Sequence, residues 1–406
     1  MDADLAALGS FERIGILGAG TMGAGIAQVV AEAGIEAVLH DPIPGAYERA
    51  HERIAGFLAR KVEKGHLDEA GAADAVARVM PAASLEELAA VDLLVEAIPE
   101  DLELKRDVFR RLDAEAQPTT ILATNTSSLS IGRIASATEH PGRVVGMHFF
   151  NPVPLMALVE VVAGPLTASE VAEATIFAAR RLGKTPVLAA DTPGFIVNRV
   201  ARPFYLESMR IVGDGAATIE QVDAAVREAG FRMGPFELID VIGADVNFSV
   251  SQTMHEAFFF DARYRPHQLQ RTLVEAGRLG RKSDGGFYDY DADGVRGAPW
   301  AGIAQRPPGP PTERLTGEQI AARIVATIVN EAASAVAEGV AAPEAIDTAM
   351  RLGASYPSGP LEWGERIGLP RVVRTLDALH AAVPDGRYRV VPLLRSLAER
   401  GASFFS

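Results

Sequence analysis

The chain has 406 residues, 48% of them hydrophobic and 23% charged, a balance that supports a large buried core and about two to four domains. Its formal net charge of -14 argues against a nucleic-acid or anionic-membrane binder, because both ligands reward a basic surface. With no cysteine, disulfides, thiolate metal sites and thiolate nucleophiles are excluded together.

Residues 1–10 carry Asp2 and Asp4 and lack a basic start followed by an apolar stretch, so they read as neither signal peptide nor anchor. No apolar run reads as long as a membrane span, and a soluble cytoplasmic protein is expected. From residue 13 to about 190, short apolar strands at 13–17, 37–40, 91–97, 120–124 and 143–147 alternate with amphipathic helices. That alternation predicts an α/β, doubly wound domain over 1–190 with a largely parallel sheet. Beyond Asp191 the strand signals fade. Stretches 194–212, 218–229 and 245–260 space their apolar residues near 3.6, which predicts an all-α domain over 191–290.

Residues 291–314 hold Pro299, Pro307, Pro308, Pro310 and Pro311 and predict a linker in which neither helix nor strand persists. Residues 315–406 are helical again and repeat the earlier region. Gln221-Val222-Asp223-Ala224-Ala225-Val226-Arg227, followed by Gly234-Pro235-Phe236-Glu237, returns as Ala345-Ile346-Asp347-Thr348-Ala349-Met350-Arg351, followed by Gly359-Pro360-Leu361-Glu362. Repeated units bury one another's apolar faces, so a second, duplicated helical domain is expected to pack on the first.

The first strand runs into Gly18-Ala19-Gly20-Thr21-Met22-Gly23 and then into a helical pattern. In that context the first glycine permits the turn, the second lets the backbone approach a pyrophosphate, and the third allows close helix packing. The phosphates would face a helix N-terminus, where free N–H groups favour negative charge. Asp41 ends the next strand, where a carboxylate can accept hydrogen bonds from ribose hydroxyls and would repel a 2'-phosphate. NAD is therefore expected rather than NADP. Glu100 and Lys105 follow a further strand, at the carboxyl edge where such sheets hold ligands, and are assigned with the cofactor; the alternative is a solvated helix-start pair.

His148, in Gly146-Met147-His148-Phe149-Phe150-Asn151-Pro152, ends a strand before a proline-stiffened turn. Twelve residues on, Leu158-Val159-Glu160-Val161-Val162 buries a carboxylate in an apolar strand, and a buried carboxylate needs a partner. If the chain turns back at 151–156, Glu160 can accept a hydrogen bond from one ring nitrogen and leave the other as a base. Oxidising a secondary alcohol needs such a base while hydride leaves carbon for nicotinamide. Thr124-Asn125-Thr126-Ser127-Ser128 offers hydroxyls and Asp191-Thr192-Pro193-Gly194-Phe195-Ile196-Val197-Asn198-Arg199 offers an amide, although both could be helix caps.

Taken together, these motifs closely resemble the L-3-hydroxyacyl-CoA dehydrogenase family, in the family's order and over essentially the whole chain. The resemblance implies a Rossmann-type NAD domain followed by two helical domains similar to the C-terminal domain of 6-phosphogluconate dehydrogenases. It implies His148 as general base, Glu160 as its orienting carboxylate, Asn125 beside the cofactor, and Ser127 and Asn198 as contacts to the substrate's hydroxyl and thioester carbonyl. The (S)-3-hydroxy configuration is implied as well. The repeated helical region looks like the duplicated members, including 3-hydroxyadipyl-CoA dehydrogenases. Ala157 departs from the pattern, standing where many relatives carry lysine. Arg49, Arg53, Arg60 and Lys64 share one helical side with Lys61 adjacent, and Arg60, Lys61 and Lys64 are expected to meet coenzyme A's phosphates; the alternative is a solvated basic face. No metal is expected. In solution the chain is expected to be either a homodimer or a monomer whose second copy fills a partner's role. The competing readings are a related hydroxyacid dehydrogenase and a non-catalytic NAD-binding protein on the same scaffold.

Overall fold

Strand β1 (Arg13–Leu17) buries four of its five residues and opens the first of two units in this computed structural model, which describes residues 11–304 and 314–406. The units meet in sequence between Phe195 and Ile196, five residues beyond the predicted boundary. In the first, β1 is followed by β2 (Glu36–His40), β3 (Val79–Pro81), β4 (Leu93–Glu96), β5 (Ile121–Thr124), β6 (Val144–Phe149), β7 (Leu158–Ala163) and β8 (Thr185–Ala190). All eight form one sheet in the order β3-β2-β1-β4-β5-β6-β7-β8. Strands β1 to β6 are parallel, β7 runs antiparallel to β6, and β8 is parallel to β7. The order 3-2-1-4-5-6 is that of a doubly wound dinucleotide-binding sheet, whose ligands lie beyond the carboxyl ends of β1 and β4, where the winding reverses.

The interior of this sheet reads as near-continuous apolar runs because helices cover both faces of parallel strands. The helix Thr21–Glu32 turns Ile26, Ala27, Val30 and Ala31 into the core, and small side chains let it lie close to β1. Two strands escape the sequence reading. At the sheet's edges, β3 has two exposed residues of three, and β8 mixes exposed and buried positions around Pro186, so neither shows an apolar run.

The second unit is helical and holds both copies of the repeat. The repeated sequence builds one device twice. Asp223, on Ile219–Glu228, accepts a hydrogen bond from the Phe236 backbone N–H at the start of Pro235–Ile242; Asp347, on Pro343–Gly353, accepts from Leu361 and Glu362 N–H at the start of Pro360–Ile367. A carboxylate satisfies N–H groups that have no partner within their own helix. The glycines are steric requirements, since a Cβ on Gly234 or Gly359 would sit 2.2 Å from the aspartate.

The copies are joined by Gly317–Ala337, which packs on Arg202–Gly213 and Ile219–Glu228 of the first and on Pro360–Ile367 and Leu369–Ala382 of the second. This helix is long and apolar enough to cross a membrane, contrary to the expectation that no run approaches that length, but it is mostly buried as the core of the unit. Buried charges cross between the copies: Arg199 binds Glu331, and Glu207 binds both Arg323 and the Tyr388 hydroxyl. The predicted linker also needs correcting. Arg296–Pro299 forms β10, antiparallel to β9 (Tyr288–Tyr290), because Asp291 Oδ1 accepts from the Asp293 and Val295 N–H groups and folds the chain into a hairpin. The short helix Ala301–Ala304 follows, while 305–313 and 1–10 lie outside the described residues.

Candidate active site

The glycines of the β1 turn meet three different constraints. Gly18 has φ +103, and a Cβ there would strike the Ala97 carbonyl of the neighbouring strand's exit at 2.6 Å. Gly23 lies so close to the Gly18 carbonyl that any side chain would displace the turn. Gly20 differs: nothing lies within 4 Å of the Cβ position, so its face is open at the N-terminus of Thr21–Glu32. An open glycine over unpaired helix N–H groups, with Thr21 and Met22 beside it, is the cradle a pyrophosphate fits. Asp41 holds this loop from the next strand. Its Oδ2 accepts from Ala19 N–H at 2.8 Å and its Oδ1 from Ile43 N–H at 2.9 Å, and each oxygen keeps a further acceptor position for a ribose hydroxyl.

Glu100 and Lys105 play unequal parts. Lys105 is 1% exposed, with its ammonium 2.6 Å from Glu96 and 3.4 Å from Glu100, so the solvated alternative fails. Glu96, which no motif marked, is the hub: it accepts from Lys105, Ile98 N–H and the Thr124 hydroxyl. Glu100 Oε1 accepts from the Thr126 hydroxyl at 2.6 Å, Ser127 N–H at 3.0 Å and the Ser128 hydroxyl at 3.1 Å. Burial opposes its ionisation, but those donors and the Lys105 charge outweigh it and hold its carboxyl below the usual range. The Ser127 loop is thereby tied to the end of β4. Asn125 is held too, its Oδ1 accepting from the Phe149 N–H at 2.8 Å, next to His148.

His148 lies within β6, one residue before its end, and Glu160 stands directly opposite on β7. Opposed residues of an antiparallel pair point to the same face with Cβ atoms about 5 Å apart, which brings together residues twelve apart in sequence. The Nδ1 to Glu160 Oε2 distance is 2.7 Å, with Glu160 fully buried and His148 7% exposed. A carboxylate can only accept, so Nδ1 carries the hydrogen and Nε2 is the basic nitrogen. No hydrogen bond reaches Nε2 among the described residues. Phe150 and Phe195 pack against the ring at 4.4 and 6.0 Å between centroids, limiting its rotation.

Lys184 is another residue the motifs did not reveal. Its buried ammonium donates to the Val153 and Met156 carbonyls at 2.6 and 2.9 Å, pinning the turn between β6 and β7 next to Ala157. Burial lowers its pKa. Among the expected coenzyme A contacts, Arg60 and Lys64 are exposed while Lys61 is paired with Glu32 at 2.7 Å. Asn198 lies in the helix Val197–Val200 of the second unit. Among the described residues there is no cluster of three or more His, Asp or Glu that could hold a metal.

Comparison with known proteins bears on this arrangement. Residues 13–192 match the NAD-binding domain of 3-hydroxyacyl-CoA dehydrogenase, and 194–290 and 320–403 match that family's C-terminal domain. The chain belongs to the 3-hydroxyacyl-CoA dehydrogenase family. It is 38% identical to a 3-hydroxyadipyl-CoA dehydrogenase of Escherichia coli K12 over 95% of this chain and 97% of that one. A 3-hydroxybutyryl-CoA dehydrogenase of Clostridioides difficile is 40% identical over 69% of this chain and 99% of its own length. A crystal structure of an Escherichia coli K12 3-hydroxybutyryl-CoA dehydrogenase superposes with a TM-score of 0.89 at 37% identity, covering 97% of this chain and 99% of that one. The chain is thus an NAD-dependent oxidoreductase, and the open Gly20 cradle with Asp41 behind it fits the cofactor.

Proposed function

We propose that the chain oxidises (S)-3-hydroxyacyl-CoA to 3-oxoacyl-CoA with the His148–Glu160 pair as its general base. The reading rests on one observation: a buried carboxylate fixes Nδ1–H at 2.7 Å and leaves Nε2 as the basic nitrogen. In this reading Nε2 takes the proton of the 3-hydroxyl as the hydride leaves C3, and Glu160 stabilises the imidazolium that forms. NAD supplies the hydride acceptor. Gly18, Gly20, Thr21, Met22 and Gly23 hold its pyrophosphate, Asp41 the adenosine ribose, and Asn125, Glu100 and Lys105 shape the nicotinamide end, the last two through the Ser127 loop. Ser127 and Asn198 orient the substrate's hydroxyl and thioester carbonyl; Arg60, Lys61 and Lys64 serve the coenzyme A phosphates. The reaction belongs to β-oxidation of fatty-acid or phenylacetate-derived acyl groups, and the second helical copy replaces a partner subunit.

The test is NADH-dependent reduction of acetoacetyl-CoA by the His148→Gln variant. A loss of about 10²- to 10⁴-fold in kcat is expected, and a near wild-type rate removes the proposed base.

A further inference from the structure

Lys184 is a buried cation spent on backbone. It is 9% exposed, and among the described residues its ammonium forms no ion pair. Its two hydrogen bonds go to the turn between β6 and β7, at 2.6 Å to the Val153 carbonyl and 2.9 Å to the Met156 carbonyl. Burying a charge beside neutral acceptors is costly, and the cost shows in a pKa lowered chiefly by burial. A methionine would fill the same space without that cost, so what the ammonium adds is geometry. The turn needs donors from outside. Pro152 and Pro154 have no N–H, and the Leu155 and Met156 N–H groups both go to the Pro152 carbonyl, at 2.9 and 3.0 Å. The next residue along, Thr185, donates its N–H to the Ala157 carbonyl at 2.7 Å. The start of β8 thus holds three carbonyls of this turn.

A second, independent contact meets the turn from the other side. Gly25 lies in the interior of the helix Thr21–Glu32, where glycine is less favourable than alanine. A Cβ there would sit 2.9 Å from Val153 Cβ and 3.5 Å from Pro154 Cδ. The turn is therefore seated directly on the backbone of the helix whose N-terminus forms the Gly20 cradle. One contact is ionic and the other steric, and both fall on Val153.

We infer that Lys184 and Gly25 are positioning residues, which hold His148 against Glu160 by clamping the turn that joins their strands. This rests on the proposed base and adds to it. Phe149 and Val159 form the last pair before the turn and His148 and Glu160 the next, so the catalytic pair lies one rung from the open end of the ladder. Register in a hairpin is governed by the loop that closes it. A turn that lifts would let that end splay and lengthen the 2.7 Å contact from Nδ1 to Glu160. Because Gly25 belongs to the cofactor helix, the same clamp sets the base relative to the element that carries the pyrophosphate cradle.

The experiment is NADH-dependent reduction of acetoacetyl-CoA by Lys184→Met and Gly25→Ala, each made also in a Glu160→Gln background. Lys184→Met is expected to lower kcat about 10- to 100-fold with KM for acetoacetyl-CoA within about 2-fold, since a small misplacement falls on the chemical step. Lys184→Arg, which keeps the charge and the donors, is expected to recover part of that loss. Gly25→Ala favours the helix but pushes Val153 away, and is expected to lower kcat about 5-fold without lowering the melting temperature. It tests the clamp even if Lys184→Met fails to fold. In the Glu160→Gln background each loss is expected to shrink below about 2-fold, because residues that act through one pairing are not additive. An unchanged kcat in both single variants, or losses that multiply with that of Glu160→Gln, overturns the clamp and leaves the base standing. A near wild-type rate for His148→Gln overturns the base and this role with it.

Discussion

Glu160 and Glu96 are both fully buried in one sheet, and each has a short polar contact, a hydrogen bond of 2.7 Å from His148 and an ion pair of 2.6 Å with Lys105. What separates them is the partner. Lys105 is 1% exposed, and its ammonium spends its donors on Glu96, the Ile98 carbonyl and Glu100, so that cluster is closed and serves to shape the ends of β4 and β5. An imidazole has a second nitrogen. With one nitrogen fixed by Glu160, the other remains for chemistry. A buried charge alone therefore does not mark a catalytic group; a buried pair whose outer member keeps an unused titratable atom does.

Substitutions can break this contrast. His148→Gln carries the largest effect, falling on kcat as given above. Lys105→Met should act on the fold: it leaves Glu96 buried without its cation and is expected to lower unfolding free energy by about 3–5 kcal/mol in urea titrations. Adding Glu96→Gln should restore most of that loss, and a stable single Lys105 variant would show that the cluster is not the strut described here. A third buried acid extends the comparison to the helical unit. Burial pushes the Asp223 carboxyl up to about 6, against donors that include the Tyr288 hydroxyl. Between pH 4 and 6 the folded chain keeps a proton that the unfolded chain has released, so this group's contribution falls as pH rises and is constant above. Relative to Asp223→Asn, the wild type should lose about 3 kcal/mol of stability across that window. Parallel pH profiles of melting temperature would contradict the raised value. The smallest effect is expected for Glu160→Gln, which keeps an acceptor for Nδ1–H but not the charge: about 10- to 100-fold in kcat with no loss of thermal stability. Equal losses in both readouts would make Glu160 a strut like Glu96.

Much of this was legible in the chain because it is local. The strand-to-glycine-turn-to-helix order, the apolar runs of a sheet covered on both faces, and the Asp…Gly-Pro repeat are written in consecutive residues. The His148–Glu160 pairing was legible through a simple strand argument, since a buried acid inside an apolar strand requires a partner and a turn lies between the two. The burial of Lys105 against Glu96 was not legible, because helix-start spacing says nothing about the sheet end beneath it. The hairpin at β9 and β10 was missed because prolines and glycines mask the Asp291 turn.

Residue order by itself determined the fold class, the cofactor cradle and the family, because each depends on patterns within a few turns or strands. Only the tertiary structure decided which buried charges are closed, that Glu96 and Lys184 brace the site, and that both helical copies lie in one unit. Those outcomes depend on desolvation and donor counting among residues distant in sequence, which no local pattern records.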